Sequence, residues 1–222
     1  MKTFFTADTH IGHLNIRRYC PESRGHFDTV EEMDTAIIDG INATVGKNRL
    51  VILGDIAMGK IDASLARLAH IEASEIILIP GNHDRWSLAY AYKGDPNKHA
   101  GVRAEWQNRY EAPFGGRALT YRDTQPSSWE SLFVLTGDEK HIGGPLHDVV
   151  FSHYPREGES REGEADRYQW LRPAPSDIPL IHGHVHQMWK ENGNQLNVGI
   201  DAPGRGFKPW SEEEIEAWIL SI

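Results

Sequence analysis

Arg49-Leu50-Val51-Ile52-Leu53-Gly54-Asp55 is the stretch that decides the fold. Its apolar run has no polar interruption, as expected of a strand buried on both faces. It ends on a glycine, where the backbone turns tightly, and then on a carboxylate. A charge at the mouth of a buried strand is costly unless something compensates it, and cations are a sufficient compensation. The same grammar recurs along the chain. Thr3 to Ala7 runs into Asp8-Thr9-His10, and Glu75 to Ile79 runs through Pro80 into Gly81-Asn82-His83-Asp84. His147 to Phe151 precedes Ser152-His153-Tyr154, and Ile178 to Ile181 precedes Gly183-His184-Val185-His186. Gln195 to Ile200 carries Asn197 and stops at Asp201.

Helices are expected between the early strands. Thr29 to Val45 places Met33, Ile37, Ile38 and Ile41 on one face, with Asp28 as the N-cap, Glu31 and Glu32 in the first turn, and Gly46 as the stop. Asp62 to His70 turns Leu65, Leu68 and Ala69 inward, and Ala100 to Tyr110 is a further helical stretch. Ser211 and Glu214 form a capping box before a last helix carrying Ile215, Trp218 and Ile219. Strands alternating with helices give an α/β class. The strand-rich part after Leu132 favours a two-sheet β-sandwich flanked by helices, within a single domain over residues 1–222. Residues 157–169, with five acids and two arginines, read as a solvated loop. The segment at about 86–146 is long and carries Trp86, Tyr90, Tyr92, Trp106, Tyr110, Tyr121 and Trp129. Two readings stand for it: an elaboration with its own apolar cluster, or a specificity segment beside the site.

Composition narrows the function classes. The 222 residues are 39% hydrophobic and 25% charged, an ordinary globular balance. A net charge of −9 gives no general help in holding polyanions, so long duplex nucleic acid is not an expected partner. One cysteine, Cys20, leaves no internal disulfide. No apolar run approaches the roughly 20 residues of a membrane span. The first residues read directly into a strand and leave no room for a signal peptide, so a cytoplasmic protein is expected.

The clusters at the strand ends consist of carboxylates, imidazoles and one amide, with no thiolate. Asp8 and His10 alternate at a strand end, which in extended backbone sends both side chains to one face. His184 and His186 repeat that spacing. Asn82 offers a neutral oxygen. His83 followed by Asp84 suggests an imidazole oriented by a carboxylate, a candidate acid. His182 reads as structural. His13, Arg17 and Arg18 follow the first cluster closely enough for one of them to meet a substrate phosphate, an arginine doing so through a forked hydrogen-bond pair. Trp86 is a candidate for stacking on a substrate base or sugar.

Taken in order, Asp8-x-His10, Gly54-Asp55, Gly81-Asn82-His83-Asp84, His153 and Gly183-His184-x-His186 resemble the motifs of the calcineurin-like metallophosphoesterase superfamily. Phe5 to Ile16, Ser152 to Pro155 and Asn197 to Asp201 resemble its small bacterial and phage members. The resemblance spans residue 4 to about 215. It implies a metallo-dependent phosphatase fold with the metal site at the C-terminal ends of strands. It implies that one metal takes Asp8, His10, Asp55 and His186, and the other Asp55, Asn82, His153 and His184. It further implies in-line attack on phosphorus by a metal-bound hydroxide, with His83 and Asp84 serving the leaving group. The cofactors expected are two divalent ions, Mn²⁺ first, with Fe, Zn²⁺ or Ni²⁺ as alternatives. The expected substrate is a phosphorylated small molecule, a nucleotide or a short nucleic-acid end. The rival is a catalytically silent interaction module on the same fold, and nothing in the motif set is missing in its favour.

Overall fold

The computed structural model describes residues 1–87, 89, 96–120, 127–128, 146, 148–159, 163, 165 and 167–222. Strand β1 (Thr3–Thr6) pairs in parallel with β2 (Arg49–Leu53), which pairs in parallel with β3 (Glu75–Ile79) and that with β4 (Ala118–Thr120). β1 and β2 are in register from Thr3 opposite Arg49 to Thr6 opposite Ile52, so both strands end level. The second sheet contains β5 (Ser127–Ser128), β6 (Val150–Phe151), β7 (Leu180–His182), β8 (Glu191–Asn192) and β9 (Gln195–Asn197), ordered β5-β6-β7-β9-β8. β10 (Trp210–Ser211) returns to the first sheet, antiparallel to β1. A bridge between Ala7 and Gly199 joins the two sheets at the end where the polar clusters lie.

Alternation along the central strands explains why they are apolar throughout. Phe4, Leu50, Ile52, Ile76 and Leu78 face a helix layer that includes Met33, Ile37, Ile41 and Leu68. Phe5, Val51, Leu53, Ile77 and Ile79 face the second sheet and meet Phe151, Ile181, Leu196 and Val198. The Phe5 and Phe151 rings stack with centroids 5.3 Å apart across the sandwich. The expected two-sheet α/β sandwich with flanking helices is therefore the observed fold.

The short helices α1 (Ile16–Tyr19) and α2 (Pro21–Arg24) follow the first cluster. Helix α3 (Val30–Val45) is capped by Thr29, not Asp28. The Thr29 hydroxyl accepts the Glu32 N–H and the Glu32 carboxylate accepts the Thr29 N–H, satisfying two donors reciprocally. Helix α4 (Ile61–Leu68) buries Ser64, Leu65 and Leu68, while Ala69 is its exposed C-cap. The capping box at Ser211 and Glu214 opens the last helix, Glu212–Ile219, as expected.

Helix Pro96–Glu111 lays Tyr110 against Trp86, with ring centroids 4.3 Å apart, and Trp86 is 0% exposed. Trp86 is thus part of the helix-side core and not a platform for substrate, because its ring already has a partner and no solvent-facing side. Trp106 packs on the same cluster. Tyr90, Tyr92, Tyr121, Trp129 and His147 lie outside the described residues. Among the described residues, no helix is long and apolar enough to cross a membrane.

Candidate metal centre

The five clusters converge at the level ends of the strands. The ladder between β1 and β2 continues past both: Asp8 N donates to Gly54 O (3.0 Å) and His10 N to Asp55 O (2.9 Å). The loops after β6 and β7 lie side by side in the same way, with Gly183 N donating to His153 O (3.1 Å). Among the described non-glycine residues, six have positive φ, and five of them are Asp8 (57°), His10 (45°), Asp55 (55°), His184 (73°) and His186 (48°). Each such residue costs of order 1–3 kcal/mol. Asp8 and His10 therefore converge through left-handed backbone beyond the strand end, and not through the alternation of an extended strand. Glycines make the close approach feasible. A Cβ at Gly81 would lie 2.5 Å from Asp55 N, and one at Gly183 would lie 2.6 Å from Asp8 Oδ2.

The ligand-type side chains gather in overlapping groups. Asp55 Oδ2 lies 3.5 Å from His10 Nε2 on one side and 3.5 Å from His153 Nε2 on the other. Ligand-type atoms of Asp8, His10 and His186 group together, as do those of Asp8, Asp55 and His153. Asn82 Oδ1 lies 3.1 Å from His153 Nε2 and 3.0 Å from His184 Nδ1. Asp8 Oδ1 and His10 Nε2 are buried without a hydrogen-bond partner. Buried orphans of this kind call for an explanation. Two carboxylates, four imidazoles and an amide oxygen fit a pair of divalent cations, whose charge would satisfy both atoms.

Electrostatics agree with ligand chemistry at three of the four imidazoles. Burial holds His10, His153 and His184 below the ordinary imidazole pKa, leaving them neutral as ligation requires. For His186 burial acts the same way, but Asp8 and the Asp201 hydrogen bond outweigh it and its pKa lies well above the ordinary value. Burial raises the Asp55 carboxyl, and the surrounding histidines, His153 foremost, bring it back below its usual range.

The other expected residues divide. His83 and His13 line a cavity of about 240 Å³ over the centre, together with His10, His186, Tyr19 and Arg167. The His83 side chain is 43% exposed, with Nε2 4.0 Å from Asp55 Oδ2. Burial, reinforced by His83 and Arg24, lowers the His13 pKa to about 4. Asp84 does not hold the His83 ring. Its Oδ2 accepts the N–H groups of Asp55 (2.7 Å) and Gly81 (2.8 Å), and its Oδ1 accepts that of Ile56 (3.1 Å). It knots the second and third loops together, and burial with the nearby Asp55 pushes its pKa up to about 8. Arg17 is engaged with Asp28 O, and neither it nor the exposed Arg18 is among the residues lining the cavity, to which α1 contributes Ile16 and Tyr19 instead. His182 is structural: Nδ1 donates to Gly183 O (2.7 Å) and the ring packs on Trp189.

Several residues with a hold on the centre were given no role in the sequence, and Arg24 and Glu159 had no sequence signal at all. Arg24 is completely buried and donates to Asp8 O (2.7 Å), Thr9 O (3.0 Å) and both carboxylate oxygens of Asp201. Asp201 Oδ2 in turn lies 3.0 Å from His186 Nδ1, fixing that ring. Asn197 donates to His186 O (2.7 Å) and Trp189 O (2.8 Å). Glu159 lies in the stretch read as a solvated loop, yet it is buried and accepts from His184 Nε2 (3.1 Å). Burial works to raise the Glu159 pKa, but the His184 bond and the Arg167 amide outweigh it and bring it to about 2.

A profile of the family described as Calcineurin-like phosphoesterase matches residues 1–188, and the chain belongs to that family. Its members typically hold two divalent cations and hydrolyse phosphoesters. An uncharacterized protein of Methanocaldococcus jannaschii is 38% identical over 87 residues, which are 38% of this chain and 48% of that protein. The chain thus spans about half the length of the curated relative it matches. The crystal structure of a protein of unknown function from Aquifex aeolicus superposes with a TM-score of 0.56 at 21% identity, covering 98% of each chain. At that identity the likeness speaks for the fold alone.

Proposed function

We propose that this calcineurin-like phosphoesterase hydrolyses a phosphodiester or phosphomonoester of a small molecule, nucleotide or short nucleic-acid end at a dinuclear centre. The observation that carries the reading is Asp55 Oδ2, equidistant at 3.5 Å from imidazoles of two neighbouring ligand groups. Asp8, His10, Asp55 and His186 would hold one ion; Asp55, Asn82, His153 and His184 would hold the other. Two such ions would supply activation of water and neutralisation of the charge that develops on the phosphoryl and leaving oxygens. The chain supplies the rest. Asp201 and Glu159 fix the rings of His186 and His184 through their second nitrogens. His83 lines the cavity and would give a proton to the departing oxygen. The oxygen and nitrogen donors suit Mn²⁺ first, and Fe, Zn²⁺ or Ni²⁺ as well.

The test is metal analysis followed by turnover. Protein stripped with chelator and reloaded with Mn²⁺ should bind two ions and hydrolyse a nitrophenyl phosphodiester or monoester. Asp55→Asn should weaken both ions together. Two ions bound with no turnover of any ester, at any of the metals named, would leave an interaction module as the reading.

A further inference from the structure

Described residues between Pro155 and Arg172 are tied into the metal centre. Arg172 donates to Pro155 O, Gly158 O and Glu159 Oε1, each at 2.9 Å. Glu159 Oε2 meets His184 Nε2 at 3.1 Å, and Glu159 Oε1 accepts the Arg167 backbone N–H at 3.1 Å. Tyr168 packs edge-on against the His184 ring at 5.7 Å. Arg167 is therefore placed from its own backbone, through one carboxylate, by a candidate metal ligand. Arg167 lines the cavity over the centre, with Nη2 3.4 Å from Glu159 Oε2, the guanidinium carbon 5.7 Å from the Tyr168 ring centroid and 48% of the side chain exposed. Among the described residues lining that cavity it is the sole guanidinium or ammonium, and the rest of its polar lining is imidazole and the Tyr19 phenol.

We propose that Arg167 is the substrate-binding residue that grips a non-bridging phosphoryl oxygen of the ester, and that Glu159 is the positioning residue that sets it relative to the metals. The proposal rests on the phosphoester hydrolase reading. A guanidinium suits this task because its planar fork matches two phosphoryl oxygens and stays charged at every working pH. Carrying the arginine on the carboxylate that also orients His184 couples its position to that of the second metal position. A rotation of either would be felt by the other.

The experiment compares wild type, Arg167→Met, Arg167→Lys, Glu159→Gln and the Arg167→Met/Glu159→Gln double variant, all reloaded with Mn²⁺. Metal content, affinity for inorganic phosphate by calorimetry, and KM and kcat for a nitrophenyl ester are read on each. Arg167→Met should keep two ions and weaken both phosphate affinity and KM by about 10-fold or more. Arg167→Lys should recover part of that, a point charge without the fork. At saturating Mn²⁺, with two ions bound in every variant, Glu159→Gln should weaken phosphate binding less than Arg167→Met, and the double variant should be no weaker than Arg167→Met alone, because with the metals in place Glu159 acts on phosphate through Arg167. Phosphate affinity and KM within twofold of wild type in Arg167→Met, with full metal content, overturn the assignment while leaving the hydrolase reading intact. Additive losses in the double variant overturn the positioning role of Glu159. A wild type that neither binds phosphate nor turns over any ester when loaded overturns both readings.

Discussion

Replacing Gly81 with alanine puts a methyl group where the second and third loops touch. The new Cβ would lie 2.5 Å from Asp55 N and 2.8 Å from Asp55 Cγ. Ordinary carbon–carbon contact is about 3.5 Å, so the carboxylate or the Gly81 backbone must yield by about 0.7 Å. Neither has slack. Asp84 holds Gly81 N and Asp55 N to one oxygen, at 2.8 and 2.7 Å, and His83 N donates to Asp55 Oδ1 at 2.8 Å. Metal ligation tolerates about 0.2 Å of error in ligand distance, so the displacement exceeds what a bridging oxygen allows. Both ions should weaken together, by at least the roughly 10–100-fold typical of losing a ligand's supporting contact. Turnover at limiting metal should fall by about 10² or more. Gly101→Ala is the control: no atom lies within 4 Å of its added Cβ, it is exposed in helix Pro96–Glu111, and it should leave metal content and activity unchanged. The assay is metal titration by mass spectrometry of each variant beside nitrophenyl ester hydrolysis. If Gly81→Ala binds two ions with wild-type affinity, Asp55 does not bridge them and the close approach has no bearing on the centre.

Other outcomes follow from individual residues. His83→Ala should keep both metals and lose about 10²–10⁴-fold in turnover, more for alkyl than for nitrophenyl esters; equal losses for the two would remove its role as an acid. Trp86→Ala should destabilise by about 3–5 kcal/mol in urea unfolding, as a large buried ring removed from a packed core, with KM unchanged in the folded fraction. A stable variant with a raised KM would return Trp86 to the substrate. Arg24→Met should cost about 3–5 kcal/mol, because it takes the guanidinium from the buried Asp201 carboxylate and leaves it only the Ser23 hydroxyl and the His186 ring; Arg24→Met/Asp201→Asn should be less destabilised than Arg24→Met alone. Burial opposes ionisation of Glu214, but the Arg205 ion pair and the Ser211 N–H hold its pKa below the ordinary value. Its contribution is therefore complete above the ordinary carboxylate pKa and fades as pH falls through the lower native value. Glu214→Gln should flatten that acid limb in unfolding titrations.

The amino-acid sequence by itself determined the alternation of buried strands with helices, and it placed a polar cluster after each of five of them. Those are local properties: the unbroken apolar runs Leu50–Leu53 and Ile76–Ile79, the helical spacing of Met33, Ile37 and Ile41, and the capping box at Ser211 are each written within a few residues. The order of the clusters also pointed to the metal chemistry, through its resemblance to the motifs of the calcineurin-like family, although any one cluster could equally have been a turn or a cap. The tertiary structure decided what depends on partners far along the chain. Arg24 meets Asp201, and Glu159 meets His184, through contacts that no spacing encodes. Whether Trp86 faced solvent or core was settled by Tyr110 packing on it, and the use of Asp84 by three backbone amides near it in space. The left-handed turns at Asp8, His10, Asp55, His184 and His186 are likewise invisible to propensity, which disfavours them. They persist because the surrounding ladders fix the loops more strongly than local backbone preference can relax them.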